Sequence, residues 1–316
     1  MKAIAYNEFG EVDRLKLIEV ETPVPNENEV LIKIEHTSVN PVDWKIRKGF
    51  LKDMMPHHFP LIPGWDASGT IESMGKSVSD FKVGDKVYAY CRKPEVQWGT
   101  YAEFIAVDAK NVAIAPINIS SAQAASIPLV GLTAWQALFD FCKLKKGQTI
   151  LIHAGAGGVG SLAIQFAANV GAEVITTASE KKESYVRELG SKHVIDYRKD
   201  DFETVVNEGF PAGIDAVFDL VGGEVQTKSF NVLRQGGSLV SIVNPPEESL
   251  AREKAINAGF VFVEPSGAQL TEIKHLIEAS KVLPSPLQEF SLEDAPKAQA
   301  LSEKGGVVGK LVIKIY

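Results

Sequence analysis

The chain has 316 residues, with 33 Lys and Arg against 40 Asp and Glu, so its formal net charge is −7. This length predicts two domains or one large domain, and 45% apolar with 23% charged residues is ordinary for a globular protein. The acidic balance, without a long basic run, argues against a nucleic-acid partner or an anionic membrane surface. Two cysteines, Cys91 and Cys142, are too few for a disulfide framework or a four-thiolate zinc site.

Apolar residues are spread along the chain rather than gathered into long runs. The N-terminal segment has no apolar h-region, and no stretch approaches the roughly 18 uninterrupted apolar residues of a membrane span. We therefore expect neither a signal peptide nor a transmembrane helix. Because two cysteines also suit a reducing compartment, we predict a cytoplasmic protein with no membrane partner.

The first part of the chain, up to about residue 117, has the pattern of a β-rich unit. Short apolar segments are separated by Pro and Gly at spacings typical of strands and turns. The clearest strands are predicted at residues 2–5, 29–35, 67–73, 86–90 and 102–106. This pattern favours a barrel-like unit.

From about residue 118 the pattern alternates between helix and strand. After a mostly helical segment, an apolar run at residues 149–153 predicts a strand buried on both faces. Val159 then begins an amphipathic helix that ends near Gly171, a residue typical of helix C-termini. Further strands are predicted at residues 173–177, 194–196, 214–220, 238–243 and 261–263, with helices between them at residues 181–189, 202–208, 226–233 and 249–258.

Six strands joined by crossover helices predict a doubly wound parallel sheet, and hence an α/β fold class. The tail has helical segments near residues 270–279 and 293–302 and a final strand at residues 310–315. Because a six-stranded dinucleotide-binding sheet is already complete, we expect this last strand to rejoin the first unit. The predicted domains are residues 1–117 with 264–316, and residues 118–263.

A glycine-rich loop follows the first buried strand of this sheet. Gly155, Gly157 and Gly160 form a G-x-G-x-x-G motif that opens the helix beginning at Val159. The three glycines suit a tight turn, close approach to a pyrophosphate, and packing of the helix on the strand. The pyrophosphate would then meet free amides and the positive end of the helix dipole. We predict a dinucleotide site that also includes Gly158 and Val159; a purely structural glycine turn is the alternative.

The second strand of the sheet lacks the acidic residue that holds the ribose 2′-hydroxyl of NAD. It runs into Ser179, Lys182 follows three residues later, and Tyr197 closes the third strand. Hydroxyl groups and a cation at this corner suit a 2′-phosphate, so the sequence predicts NADPH over NADH. Glu180 is the competing signal, because it can supply the missing acid if the strand runs one residue longer.

Seven short motifs, in this order and spacing, are together specific to one superfamily. Beside the glycine loop they are VNPVDWK at residues 39–45, IPGWDASG at 62–69, VGDKV at 83–87, GTYAE at 99–103, LTAWQAL at 132–138 and GK at 309–310. With these motifs the chain resembles the zinc-independent quinone oxidoreductases of the medium-chain dehydrogenase/reductase superfamily. The resemblance implies a GroES-like, partly open β-barrel domain interrupted by a Rossmann domain, an active site in the cleft between them, and reduction of quinones or α,β-unsaturated carbonyls by NADPH.

The resemblance also shows what separates the chain from the zinc-dependent alcohol dehydrogenases. That branch places a catalytic Cys in the segment of Asn40 and a His-Glu pair at Trp65 and Asp66. An amide and an indole cannot replace a thiolate and an imidazole as zinc ligands. The four cysteines of the structural zinc lobe are absent too, so we predict no metal. The alternative is a metal site built from carboxylates and an imidazole, with Asp43 and Asp66 joined by His57 or His58.

Three residues are candidates for the chemistry itself. Without a metal, donors or a cation must stabilise the charge that develops on the substrate oxygen during hydride transfer. Asn40 offers an amide to the carbonyl or to the nicotinamide ribose; its alternative is a turn residue. Lys45, where many family members have Tyr, offers a hydrogen bond or a proton to the nascent enolate; its alternative is a surface lysine paired with Asp43 or Glu72. Thr133 resembles the family position that approaches the nicotinamide; its alternative is a satisfied helix threonine.

The resemblance places further cofactor contacts at the carboxyl ends of two more strands, where parallel sheets bind ligands. The residues expected to meet the nicotinamide end are Leu220, Val221, Ile242, Val243 and Asn244. Lys310 is what remains of a basic pair before the last strand, and some relatives use a cation there to hold the 2′-phosphate.

Three functions remain open from the sequence. The first is an NADPH-dependent quinone or enone oxidoreductase acting on a small molecule. The second is an enoyl-thioester reductase, which needs a longer cleft and basic residues; the segment from Lys45 to Lys52 gives limited support. The third is an NADPH-binding sensor or structural protein without turnover. A homodimer is expected from the resemblance, since the apolar strand predicted at residues 261–263 is an uncovered edge.

Overall fold

The computed structural model describes residues 1–316. The strands, in chain order, are β1 (Lys2–Ala5), β2 (Lys16–Glu19), β3 (Glu29–Val39), β4 (His57–Ile62), β5 (Asp66–Met74), β6 (Lys86–Tyr90), β7 (Val96–Trp98), β8 (Phe104–Asp108), β9 (Val112–Ile114), β10 (Thr149–Ile152), β11 (Glu173–Ala178), β12 (His193–Asp196), β13 (Ile214–Asp219), β14 (Leu233–Ser241), β15 (Asn257–Phe260), β16 (Leu287–Ser291) and β17 (Lys310–Lys314).

The α-helices are α1 (Pro41–Arg47), α2 (Ser121–Ala125), α3 (Pro128–Trp135), α4 (Gly158–Val170), α5 (Glu183–Glu188), α6 (Phe202–Gly209), α7 (Gly223–Ser229), α8 (Glu248–Glu253), α9 (Gly267–Glu278) and α10 (Ala295–Lys304). Short 3₁₀ turns lie at Val12–Arg14, Ala109–Asn111, Glu180–Lys182 and Phe230–Val232, and a π-helical turn spans Gln136–Phe141. None of these helices combines the length and the apolar character that crossing a bilayer requires.

The chain divides into two units. The first comprises Met1–Leu132 with Glu264–Tyr316, and the second is Thr133–Val263. The chain leaves the first unit later than residue 117, where the sequence analysis put the limit. The reason is that α2 packs on β3 and β5 of the first unit, although its helical pattern resembles that of the second.

The first unit is built around a seven-stranded sheet with β3 at its centre. The strand order is β16-β17-β3-β5-β6-β9, and β8 also pairs with β3. Val30, Ile32 and Ile34 of β3 are buried in one core, because alternate residues of a strand face the same side. The strand path ends at β16 and β9 without closing, so the predicted partly open, barrel-like unit is confirmed.

The last strand rejoins this sheet, as predicted. β17 pairs antiparallel with β3 and parallel with β16. In the register between β17 and β3, Leu311 lies opposite Val39. This register brings Lys310, the first residue of β17, beside Asn40, which follows β3.

The second unit is a six-stranded parallel sheet in the order β12-β11-β10-β13-β14-β15. The predicted doubly wound sheet is thereby confirmed. β10 and β13 are adjacent, and the strand order reverses between them. In sheets of this kind, ligands bind at the carboxyl ends of the strands beside such a reversal.

The sixth strand of this sheet does not lie where the sequence analysis placed it. It is β15, residues Asn257–Phe260, rather than residues 261–263, and α8 ends at Glu253 rather than near residue 258. Ala255 adopts a φ of 53°, which turns the chain out of the helix early. Pairing with β14 begins at Asn257, opposite Ser238, so the apolar run at residues 261–263 lies beyond the strand.

Candidate active site

The glycine loop between β10 and α4 has little room for side chains. A Cβ added to Gly155 would lie 2.0 Å from Thr176 Oγ1, and one added to Gly160 would lie 2.6 Å from the Ala154 carbonyl oxygen. At Gly157 the nearest atom to an added Cβ would be 3.4 Å away. Packing within the chain therefore requires glycine at positions 155 and 160, whereas Gly157 keeps the backbone open to an approaching ligand.

The N-terminus of α4 opens onto this loop. Its N-cap, Gly157, has no side chain to accept hydrogen bonds from the first turn. The first amides of a helix have no carbonyl partner within the helix, so those of Gly158, Val159 and Gly160 lack the usual cap. α4 has 13 residues, and its aligned peptide dipoles add partial positive charge at this end. The residues present therefore fit a pyrophosphate, and with it a dinucleotide.

The corner expected to hold the adenosine ribose follows β11. Ser179 comes directly after this strand and is buried, whereas the Tyr197 side chain is 57% exposed. Lys182 is half-buried at the end of a 3₁₀ turn and forms no ion pair. Glu180, the competing acid, is engaged elsewhere, because its Oε2 accepts a hydrogen bond from Lys199 Nζ at 2.8 Å.

The residues expected at the nicotinamide end lie in two loops of the second unit. Leu220 and Val221 follow β13, and Ile242, Val243 and Asn244 follow β14. The two valines are exposed, Val221 at 47% and Val243 at 39%. The structure thus brings these residues together at the carboxyl edge of adjacent strands, since β13 and β14 pair in register.

A buried polar network joins β3, β5 and β17 in the first unit. Asn40 Nδ2 donates to Asp66 Oδ2 at 2.8 Å, and Lys310 Nζ donates to Asn40 Oδ1 at 2.5 Å. Ser38 Oγ donates to the same Asp66 oxygen, and the Leu129 amide donates to Asp66 Oδ1 at 2.7 Å. All four polar side chains are buried, so their hydrogen bonds replace water.

Asp43 adds a second carboxylate to this network. Its Oδ2 accepts hydrogen bonds from the Asn40 amide at 2.8 Å and from the Tyr101 hydroxyl at 3.0 Å. Burial raises the pKa of Asp43 to about 7, although these hydrogen bonds and the charge of Lys310 oppose the rise. Burial also raises the pKa of Asp66 and lowers that of Lys310, and the attraction between the two opposes both shifts. One ammonium thus faces two carboxylates, and Asp43 takes up a proton near neutral pH.

Two predicted site residues, Asn40 and Lys310, form their hydrogen bonds within this network. Asn40 is fully buried with both ends of its side-chain amide bonded, so it fits the alternative of a turn residue before α1. Lys310 is 5% exposed, and its ammonium also donates to the Val39 carbonyl oxygen at 3.0 Å. For Lys310 to hold a 2′-phosphate, as the sequence suggested, its ammonium would have to leave these bonds inside the first unit.

The Lys45 ammonium forms no ion pair, and it differs from that of Lys310, which is bonded to Asn40 and Val39. Lys45 lies on α1, half-buried, with Nζ 5.8 Å from the centre of the Trp44 ring. The alternative pairing with Asp43 or Glu72 is not formed, since Asp43 is bonded to Asn40 and Tyr101. Thr133 lies in α3 and is 3% exposed.

At the positions where the zinc-dependent alcohol dehydrogenases have zinc ligands, this chain has side chains that make other contacts. Asn40 belongs to the buried network, and Trp65 packs edge-on against Tyr90 with ring centres 6.0 Å apart. The alternative metal site is not assembled, because His57 bonds the Met55 carbonyl and His58 pairs with a glutamate. No group of three or more His, Cys, Asp or Glu side chains in residues 1–316 is arranged to hold a metal ion.

Three residues at the carboxyl edge of the second sheet were not predicted from the sequence. Asp219, Gln226 and Ser241 are buried and hydrogen-bonded to one another and to the loops that follow β13 and β14. One signal was present in the sequence. Asp219 is a charged residue at the end of a largely apolar strand and shortly before two glycines, which is where a carboxylate organises a loop.

Two family models match the chain. The alcohol dehydrogenase GroES-like domain matches residues 26–117, and the zinc-binding dehydrogenase model matches residues 189–313. The first match confirms the GroES-like fold that the motifs implied for the first unit. The second covers the end of the parallel sheet and the return of the chain to β17.

Relatives match over almost the whole chain. It is 38% identical to 2-methylene-furan-3-one reductase of Solanum lycopersicum and 37% identical to the chloroplastic NADPH-dependent alkenal/one oxidoreductase of Arabidopsis thaliana, in each case over 99% of this chain and 79% of the relative. Among solved structures, the quinone oxidoreductase of Coxiella burnetii is 34% identical with a TM-score of 0.88, covering 100% of this chain and 99% of that one. The chain therefore belongs to the medium-chain dehydrogenase/reductase superfamily and, within it, to the quinone and alkenal oxidoreductases.

Proposed function

We propose that the protein is an NADPH-dependent oxidoreductase that reduces quinones or α,β-unsaturated carbonyls without zinc. The observation that carries the proposal is the glycine cradle at the N-terminus of α4, which has space and donors for a pyrophosphate. The relatives support the substrate class, because the two plant enzymes are named for compounds that join an alkene to a carbonyl group.

The choice of NADPH rests on the corner after β11. Ser179 and Lys182 offer a hydroxyl and a cation, and the ammonium of Lys182 has no carboxylate partner. Glu180, which would favour NADH, is held by Lys199. Tyr197 adds a second hydroxyl. One relative is itself named as NADPH-dependent.

When bound, NADPH supplies a hydride to the electrophilic carbon of the substrate. Negative charge then develops on the carbonyl oxygen, and a donor near that oxygen lowers the barrier. We assign this role to Lys45, whose ammonium is free of carboxylates and can also deliver the proton that completes the reduction. An enone then gains one hydride and one proton to become a saturated carbonyl, and a quinone becomes a hydroquinone. Thr133 remains a proposed contact of the nicotinamide end.

We propose that the reaction needs no metal, because the side chains at the zinc-ligand positions cannot bind zinc. Asn40 and Trp65 stand where the zinc-dependent branch has a thiolate and an imidazole, and neither side chain is a zinc ligand. Activity that survives dialysis against a chelator, with no stoichiometric zinc in the purified protein, is the expected result. Loss of activity on chelation that zinc restores would overturn this part of the proposal.

The test of the function is a substrate panel with NADPH. It contains a small quinone, an alkenal, an enone, a crotonyl thioester and a saturated ketone, and NADPH absorbance and product mass are followed. We expect oxidation of NADPH by the quinone and the enone but not by the saturated ketone. Faster turnover of the thioester would instead identify an enoyl-thioester reductase. Tight NADPH binding without turnover of any compound would identify a sensor or structural protein.

Two further assignments are proposed with this function. A homodimer is supported by the edge position of β15 in its sheet, and light scattering after size exclusion tests it. A cytoplasmic location is supported by the two free thiols, which suit a reducing compartment, and cell fractionation tests it.

A further inference from the structure

Two loops of the second unit are joined by a network of four side chains, which we call the clamp: Asp219, Gln226, Ser241 and Asn244. Asp219 ends β13 and is fully buried. Its Oδ1 accepts hydrogen bonds from the amides of Val221 at 2.9 Å and Gly222 at 2.8 Å. One oxygen of this carboxylate therefore determines the course of the loop after β13.

The other oxygen of Asp219 reaches the neighbouring strand. Oδ2 accepts hydrogen bonds from Ser241 Oγ at 2.8 Å and from Gln226 Nε2 at 3.0 Å. Ser241 ends β14, and its Oγ in turn accepts from the Val243 amide at 3.2 Å. A single carboxylate thus joins the last residues of two parallel strands and the start of the loop after β14.

Gln226 on α7 extends the clamp to the tip of the second loop. Its Nε2 donates to the Asn244 carbonyl oxygen at 2.9 Å, and its Oε1 accepts from Asn244 Nδ2 at 3.0 Å. The loops also approach closely, since a Cβ added to Gly222 would lie 2.6 Å from Asn244 Oδ1. Side-chain hydrogen bonds and close packing therefore join the two loops to each other.

A buried carboxylate loses its hydration, and the four hydrogen bonds that Asp219 accepts replace it. These hydrogen bonds determine the course of the loops after β13 and β14, at the edge where sheets of this kind bind ligands. The backbone amides that the clamp bonds include those of Val221 and Val243, whose side chains are exposed rather than packed in a core.

We propose that the clamp positions the nicotinamide half of NADPH, with Val221 and Val243 as two fixed apolar supports for the ring. This inference rests on the proposed NADPH-dependent function. Asp219, Gln226 and Ser241 act through the loops and touch no reacting atom, so they are positioning residues. The adenosine half of the cofactor, which would bind after β11, does not depend on them.

The test compares two ligands in the full-length protein. NADPH contains both halves of the cofactor, whereas adenosine 2′,5′-bisphosphate carries only the adenosine half with its 2′-phosphate. Ser241→Ala and Gln226→Ala each remove part of the clamp. Thr227→Ala is the matched control, because Thr227 is exposed on the same helix and bonds only the Gly223 carbonyl there. Dissociation constants are measured by calorimetry.

We expect both clamp variants to bind NADPH about tenfold more weakly, as loss of buried hydrogen bonds implies, and to bind the bisphosphate as the wild type does. Unchanged NADPH affinity would overturn the inference, and so would an equal loss for both ligands, which indicates a general effect on the unit. If the wild type binds NADPH but turns over no substrate, the proposed function fails. The comparison of the two ligands still tests whether the clamp positions the nicotinamide half. If the wild type binds neither ligand, both proposals fail.

Discussion

Lys310 and Asn40 lie 270 residues apart in the chain and share a buried hydrogen bond of 2.5 Å from the ammonium to the side-chain oxygen. The bond exists because β17 returns to pair with β3, which ends one residue before Asn40. Through Asn40 the ammonium is connected to Asp66, and its charge also stabilises Asp43. This relationship assigns to the interior of the first unit two residues that the sequence alone suggested for ligand binding.

Replacing Lys310 by methionine should destabilise the first unit strongly. The substitution preserves much of the side-chain volume but leaves Asn40 Oδ1 and the Val39 carbonyl oxygen without their donor, and it removes the positive charge near Asp66 and Asp43. A buried polar group left without its partner costs about 1–3 kcal/mol, and more where a charge is involved, so we expect the free energy of unfolding in urea to fall by at least that amount. Lys314→Met, at an exposed position of the same strand, is the control. A loss no larger than that of the control would contradict the role of Lys310.

The stability of the protein should depend on pH through Asp43. Its pKa rises on folding from 3.8 to about 7, mainly because of burial, so the folded state binds this proton more tightly than the unfolded state. The resulting stabilisation is complete below the unfolded pKa and is lost as pH rises through about 7. The difference in unfolding free energy between the wild type and Asp43→Asn should therefore decrease from pH 5 to pH 8. A difference independent of pH would show that Asp43 does not titrate in this range.

Lys182 should set the preference between NADPH and NADH. Lys182→Ala removes the cation expected at the 2′-phosphate, so we expect NADPH affinity to fall about tenfold, as loss of a charged hydrogen bond implies, while NADH affinity is unchanged. The neighbouring Lys181→Ala, which changes an exposed side chain, is the control. Fluorescence titration of both cofactors measures the effect. Equal affinities of the wild type for the two cofactors would refute the NADPH assignment itself.

Lys45 should act in the chemical step rather than in cofactor binding. We expect Lys45→Ala to lower kcat for an enone by about 100-fold, which is the lower limit of the usual contribution of a general acid to the rate. The dissociation constant of NADPH should change little. Lys52→Ala alters an exposed lysine in the loop after α1 and serves as the control. An unchanged kcat would make Lys45 a surface residue.

Gly160→Ala should damage the cofactor cradle without any change of charge. The added Cβ would lie 2.6 Å from the Ala154 carbonyl oxygen, so the turn must shift away from its place under α4. Overpacking of this kind costs about 1–3 kcal/mol of stability, and we expect NADPH affinity to fall as well. Gly209→Ala has open space around the added methyl group and should leave both quantities unchanged. Similar behaviour of the two variants would show that the cradle adapts.

The cofactor half of the site was accessible from the sequence because its determinants are close in the chain. The strand before Gly155, the loop and the helix after it lie within one continuous segment, so local pattern predicts their geometry. The sixth strand was misplaced for the opposite reason, because local pattern does not determine where it lies. Its position depends on pairing with β14 and on the left-handed turn at Ala255, neither of which leaves an apolar signature.

The sequence by itself determined the β-rich first unit, the parallel sheet and the glycine loop, because periodicity and turn residues act over short distances. Only the tertiary structure decided what the polar side chains do. Asn40 and Lys310 are bonded to each other because strands distant in the chain pair in one register. Asp219 likewise joins two loops because its strand lies beside β14. Whether a charged or polar side chain meets a ligand, a partner or the interior depends on which strands become neighbours, and composition does not encode that.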